Sequence, residues 1–207
     1  MNDVDARSEA LALMREMEAR PIHVQHVARL SGLLFDDLAP LHALGARERM
    51  ILEAASLLHD IGHQYDHTDE GHHKESARMI REHPWQHFTP GEVELVAQTA
   101  RYHRKSMPDF KHEPFRALSE PDRRIVQCLA GLLRISDSLD RAHEQAVLDV
   151  KGAILPDRIV LHLTAGAPIF REVKAARSKS DLAVVFFQRE FKFFSEGREV
   201  EIPPGPA

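Results

Sequence analysis

The stretch Leu57-Leu58-His59-Asp60-Ile61-Gly62-His63 ends an apolar run with an adjacent histidine and aspartate, and a glycine follows. Residues 48–59 carry Met50, Ile51, Leu52, Ala54, Ala55, Leu57 and Leu58. That pattern is apolar nearly all round a helix, so this helix is expected to be the buried one. Imidazole and carboxylate side by side at the end of a buried helix are costly to desolvate unless something compensates them. A divalent metal ion does so most directly, because the nitrogen and the oxygen are both ligands. The pair is therefore read as a candidate metal site, and its weight depends on the other His and Asp residues.

Composition agrees with that reading. Of 14 histidines, nine fall between His59 and His112, a distribution suited to metal or proton chemistry. The 207 residues are 43% hydrophobic and 29% charged, enough for a continuous core. No run of about 18 apolar residues occurs, so a soluble chain without a membrane span is expected. The start, Met-Asn-Asp-Val-Asp-Ala-Arg, is polar and lacks an apolar signal core. A single cysteine, Cys128, excludes an internal disulfide and suits a reduced, cytoplasmic setting. The net charge of −5 argues against a nucleic-acid partner.

Periodicity predicts helices over most of residues 1–145. Residues 7–19 are strong helix formers. Pro21 suits the first turn of a helix reaching about Leu38, with Val24, Val27, Leu30, Leu34 and Leu38 on one stripe. After a polar loop at 63–71, a short helix runs from His72 to Glu82. Thr89-Pro90-Gly91-Glu92 is a capping box opening a helix to about Lys105. A loop at 106–118 leads to another helix starting at Ser119-Glu120-Pro121-Asp122 and carrying Ile125, Val126, Leu129, Leu132, Leu133 and Leu139. From about Gln145 the texture changes. Residues 146–151 and 158–163 read as two strands around a turn, 181–194 as a helix, and 198–202 as a last short strand. The expected fold is mainly α, a helical domain over 1–145 with a small α+β subdomain over 146–207 packed on it.

Further potential ligands lie on these elements. His26 sits in the second helix, three residues after His23. His72 or His73 opens the helix after the polar loop, and His103 lies near the end of the capped helix. Asp137 lies inside the last long helix, where Arg134, Asp137, Ser138 and Arg141 share a polar stripe. Two arginines flanking a carboxylate suit an anion held beside a metal, and a solvated face with ordinary pairing is the competing reading. His63, His67, His83, His87, His112 and His143 read as surface or loop residues, His23 as a helix-face residue, and Asp140 as an arginine partner.

In this order and on helices, His, His-Asp, one or two His and then Asp resemble the HD-domain superfamily of metal-dependent phosphohydrolases. Gly71-His72-His73-Lys74, Arg101-Tyr102-His103-Arg104-Lys105 and residues 132–143 are similar to the C-terminal HD-like domain of the exopolyphosphatase/guanosine pentaphosphatase family. The resemblance covers nearly the whole chain and implies an HD-domain helical bundle with a mono- or dinuclear site. It assigns His26, His59, Asp60 and Asp137 as core ligands, with His72 and His103 as the added histidines of dinuclear members. His72 is preferred to His73 because Ser76-Ala77 then falls at the family's usual distance. In the full-length relatives, polyphosphate hydrolysis belongs to preceding actin-like domains. These 207 residues leave no room for such domains and carry no Gly-rich phosphate loop. Polyphosphate hydrolysis is therefore not carried over, and a stand-alone phosphohydrolase is expected.

The implied cofactor is one or two divalent ions (Mn, Fe, Ni, Co, Zn or Mg), with Asp60 as the bridge if two bind. The expected substrate is a nucleotide or other small phosphoester. Attack on phosphorus would be assisted by Lys74, Arg104, Lys105, Arg134 or Arg141 neutralising the equatorial oxygens. A homodimer is a further expectation, with no membrane partner. Two other readings use the same residues: a non-catalytic module that senses a phosphorylated ligand or mediates dimerisation, and a di-iron HD-type oxygenase.

Overall fold

A computed structural model describes residues 3–18, 20–65 and 71–202. In chain order its helices are α1 (Asp3–Met17), α2 (Pro21–Asp37), α3 (Ala39–His42), α4 (Ala46–Leu58), α5 (His72–Glu82), α6 (Pro90–Arg101), α7 (Glu113–Arg116), α8 (Glu120–Ser138), α9 (Phe170–Lys179) and α10 (Asp181–Phe187). A 3₁₀ turn, Ile61–Gln64, follows α4. The strands are β1 (Val147–Ile154), β2 (Arg158–Ala165), β3 (Glu190–Ser195) and β4 (Arg198–Glu199). The mainly α expectation holds.

The helix patterned as apolar all round becomes the centre of the bundle. α4 packs on α1, α2, α6 and α8, and Met50 through Leu58 are buried except Glu53. Both sequence-read caps form. Thr89 Oγ1 accepts the Glu92 N–H at 3.3 Å, and Ser119 Oγ accepts the Asp122 N–H at 3.2 Å. Each satisfies a backbone donor that the first helical turn leaves unpaired.

β1, β2, β3 and β4 form one sheet in that order, with β1 and β2 antiparallel, β2 and β3 parallel, and β3 and β4 antiparallel. The parallel pair needs a crossover, which α9 and α10 supply while packing on α8. β1 lies against α2, and buried side chains from α1 to β3 belong to one core cluster.

The tail differs from its expected form in two places. A helix was expected over 181–194, but Gln188 adopts φ 51°, ending α10 at Phe187. Beyond it Phe191 and Phe193 turn inward while Glu190 stays exposed, the period-2 pattern of a strand. α9 had no counterpart in the sequence reading. The helix expected to reach Lys105 stops at Arg101, and Lys105 itself has φ 56°. The loop at 106–118 contains α7, and the loop at 63–71 lies partly outside the described residues.

Candidate metal centre

α4 ends beside a cavity of about 470 Å³ lined by Asp60, His72, His103 and Asp137 together with cationic side chains. Asp60 is the hub. Its Oδ1 lies 3.6 Å from His59 Nε2, 3.3 Å from His72 Nε2, 3.7 Å from His103 Nε2 and 3.6 Å from His63 Nε2. Its Oδ2 accepts from Arg20 Nη2 at 2.9 Å. Asp137 Oδ1 lies 3.4 Å from His23 Nε2 and 3.6 Å from His59 Nε2. His72 and His103 face each other, Nε2 to Nε2, at 3.4 Å.

Three histidines are held so that Nε2 points inward. His59 Nδ1 lies 2.8 Å from the Ser56 carbonyl and His103 Nδ1 2.6 Å from the Ala100 carbonyl. Because a carbonyl only accepts, Nδ1 must carry the proton, and in the neutral ring Nε2 is a bare lone pair. His23 achieves the same through Asp140, whose Oδ2 lies 2.9 Å from Nδ1. A carboxylate or carbonyl behind each ring is the arrangement that orients metal-ligating histidines.

These atoms fit a cation. His23 Nε2 and His59 Nε2 are buried with no hydrogen-bond partner, a costly state for a polar atom. The separations of 3.3 to 3.7 Å around Asp60 are long for hydrogen bonds. They are close to the spacing of ligand atoms around an ion bound at about 2 Å. Two groups bring their ligand atoms within 4.8 Å of one another, His23-His59-Asp60 and Asp60-His72-His103, and they share Asp60.

The buried carboxylates and histidines form one coupled electrostatic network. Burial opposes charge on every member. It raises Asp60 and Asp137, but the neighbouring histidines outweigh it and hold both carboxyls well below the usual range. Burial lowers His59, yet Asp60 and Asp137 hold it up at about 9. His103, buried and facing His59, is pushed well below the ordinary histidine value. His23 is raised, with Asp137 and Asp140 overcoming its burial. A cation binding here would compete with the protons that these histidines hold.

Of the residues expected from sequence, His59, Asp60, His72, His103 and Asp137 come together. His26 does not. Its Nε2 is 2.9 Å from the Val147 carbonyl, tying α2 to β1, and burial lowers it. His23, one turn earlier, occupies the site instead. The one-residue choice at α5 places His72 in the cavity and His73 outside its lining.

Among the expected phosphate-facing cations, Arg104 and Arg141 line the cavity. Arg134 does not. It is 2% exposed, pairs with Asp181 at 2.9 Å and donates to the Tyr102 carbonyl at 3.1 Å. It closes the C-terminus of α6, where a cation opposes the helix dipole, and ties it to α10. Lys105 is exposed and outside the lining, and Lys74 faces a separate cavity.

Several contributors do not stand out as site residues in the sequence. Arg20 and Lys179 line the cavity, and His143 stacks on His23 with ring centroids 3.9 Å apart. His63 stacks on His72 at 3.6 Å. Asp140 serves His23, not an arginine. Glu18 lies beneath, 8% exposed, with Oε1 accepting the Arg20 N–H at 2.7 Å and Oε2 without a hydrogen-bond partner. Burial raises its carboxyl. Among the described residues no helix is long and apolar enough to cross a membrane.

No curated protein matches the chain. Residues 7–177 match the family model described as Ppx/GppA phosphatase, domain III. That match takes in well over half of the chain, through the helical bundle and strands β1 and β2 into α9. The chain belongs to the Ppx/GppA phosphatase domain III family.

Proposed function

We propose that the chain is a metal-dependent phosphohydrolase acting on a small phosphorylated molecule, a nucleotide or related phosphoester. One observation carries the reading: His23 Nε2 and His59 Nε2, buried without hydrogen-bond partners, lie beside Asp137 and Asp60 of a cavity that Arg104, Arg141 and Lys179 also line. His23, His59, Asp60 and Asp137 would hold one ion, and Asp60, His72 and His103 a second. When bound, a divalent ion supplies Lewis acidity, polarising a phosphoryl oxygen and making water more acidic.

The side chains do the positioning. Arg20 occupies Asp60 Oδ2 and so turns Oδ1 toward the histidines. Asp140 holds the His23 ring by Nδ1. Arg141 and Lys179 form no ion pair with described residues, so their charge is available to phosphoryl oxygens. Burial lowers Lys179, with Arg134 and Arg104 adding to the effect, a state that an arriving anion would reverse. Membership of the HD-domain superfamily, suggested by the order of the ligands, accords with this donor set.

The test uses the full chain, stripped with chelator and reloaded separately with Mn, Fe, Co, Ni, Zn or Mg. Bound metal is measured, then phosphate release from a panel of nucleotides and phosphoesters. Turnover that Asp60→Ala abolishes is expected. Metal binding without turnover would leave a non-catalytic module, and oxygen uptake by the iron-loaded chain would replace hydrolysis with oxygenase chemistry. A chain that binds none of these ions sinks the reading.

A further inference from the structure

A second cavity of about 160 Å³ lies beside the metal centre, lined by His73, Lys74, Arg101, Arg104 and the Tyr102–His112 pair. Its chemistry is one-sided. Three permanent cations converge there, and among the described residues no carboxylate lines it. Asp109 lies outside the lining, where its Oδ1 accepts the Lys111 N–H at 2.8 Å, and its charge is felt at Tyr102. Tyr102 and His112 are locked to each other, hydroxyl to Nδ1, at 2.9 Å.

Two buried polar atoms at this cavity are left over. His73 is 5% exposed and its Nδ1 has no hydrogen-bond partner, and neither has Arg101 Nε. Buried groups in this state normally answer to water or a ligand. A lone water would satisfy the hydrogen bonds but would not balance the charges of Lys74 and Arg101. His73 and Lys74 also lie in the first turn of the eleven-residue α5, where the positive end of the helix adds to the cations. The volume equals roughly five waters at about 30 Å³ each, room for a tetrahedral oxyanion.

The cavity is separate from the metal pocket yet adjoins it. His72 faces one and His73 the other, with ring centroids 5.9 Å apart, and Arg104 lines both. We propose that the cavity walled by His73, Lys74 and Arg101 is a second oxyanion site that takes a phosphate-class dianion beside the metal centre. The site goes beyond the phosphohydrolase reading and does not require turnover. Its occupant is either free phosphate or a second phosphoryl group on the molecule held at the metal.

Inorganic phosphate titrated calorimetrically into the full-length Asp60→Ala chain, stripped of metal, tests this directly. Phosphate binding is expected to weaken about tenfold or more in the added presence of K74Q and R101Q. With R141Q and K179Q instead, the same binding should persist. Lys74 is exposed, so K74Q alone keeps the test open if the Arg101 variant misfolds, with a loss of about threefold expected. Equal phosphate affinity with and without K74Q and R101Q overturns the site, as does a chain that binds no phosphate at millimolar concentration. On turnover, a KM raised by K74Q only for substrates with two phosphoryl groups identifies the substrate as the source. Phosphate inhibition relieved by K74Q at unchanged KM identifies free phosphate, and either result upholds the site. A chain that binds phosphate here but hydrolyses nothing overturns only the phosphohydrolase reading.

Discussion

Replacing Gly62 with alanine separates the two halves of the candidate centre. The backbone at Gly62 is not left-handed, so alanine is conformationally allowed there, and the obstacle is contact. An added Cβ would lie 2.2 Å from the His72 carbonyl oxygen, 2.6 Å from the Ser76 nitrogen and 2.9 Å from Glu75 Cβ. Two of these are backbone atoms of α5, so no side-chain rotation relieves the clash. The first turn of α5 has to retreat by about 1 Å, at a cost near the upper end of overpacking, about 3 kcal/mol. For a chain of this length that corresponds to a melting temperature lower by about 6–12 °C. The same retreat draws His72 away from Asp60 Oδ1 and His103 Nε2, now at 3.3 and 3.4 Å, and strains the bond from the Gly62 N–H to Ser76 Oγ at 2.9 Å. His23 and His59, on α2 and α4, stay in place. Calorimetric metal titration of G62A should therefore lose or weaken one class of site and keep the other. Gly91→Ala, where an added Cβ meets nothing within 4 Å, is the control and should shift stability by at most about 1 kcal/mol in the favourable direction. A G62A protein that melts with the wild type and binds the same metal equivalents would falsify the close packing of α5 on the His-Asp turn.

His23→Ala should lower metal affinity by about a hundredfold or more, whereas His26→Ala should leave bound metal unchanged and cost stability through the lost Val147 contact, as read by metal analysis and melting. Arg134→Met should destabilise by about 2–3 kcal/mol, less than a fully buried broken pair because Asp181 is 43% exposed and can rehydrate, while the folded fraction keeps its metal. Unchanged denaturant stability would refute the tie between α6 and α10. Glu92 is held down at about 2 by Arg47, with Thr89 assisting, so its contribution is complete above the ordinary value of 4.5 and disappears as pH falls from there to about 2. Glu92→Gln should cost about 1–2 kcal/mol at pH 7 and progressively less across that window. Burial pushes the Cys128 thiol up, so a thiol reagent at neutral pH should label only unfolded chain, and rapid native labelling would contradict its place in the core.

What the sequence disclosed follows what periodicity can carry. The continuous apolar surface of residues 48–59 and the Thr89 and Ser119 caps are local signals, and the helices they foretold are present with ends displaced by a few residues. β3 is different. Phe191, Lys192 and Phe193 alternate as a strand does, but the apolar run before them made a longer helix the natural reading. Only the left-handed Gln188 and the pairing with β2 separate the two. Arg134 lies away from the cavity for a similar reason. Its position on the polar stripe of α8 was right, but the partner that claims it, Asp181, is 47 residues away, and α10 was not foreseen as starting against α8.

The exchange of His26 for His23 was legible in principle. At about 100° per residue, Val24, Val27, Leu30, Leu34 and Leu38 centre the buried stripe of α2, His23 falls about 40° from that centre, and His26 about 100° away. His23 accordingly points between α4 and α8 toward His59 and Asp137, and His26 points toward the sheet. The dipeptide at the end of α4 marked where a metal could sit, but the direction of each neighbouring helix face decided which histidine could reach it. Asp140 shows the same geometry from the other side. It lies three residues beyond Asp137, and the turn that ends α8 brings both carboxylates onto one imidazole, Asp137 at Nε2 and Asp140 at Nδ1. A histidine gripped at Nδ1 by a buried carboxylate, with Nε2 turned toward a second carboxylate but not hydrogen-bonded to it, is a poor element of a solvated helix face and a good metal ligand, because the partner behind it both fixes the tautomer and strengthens the nitrogen in front.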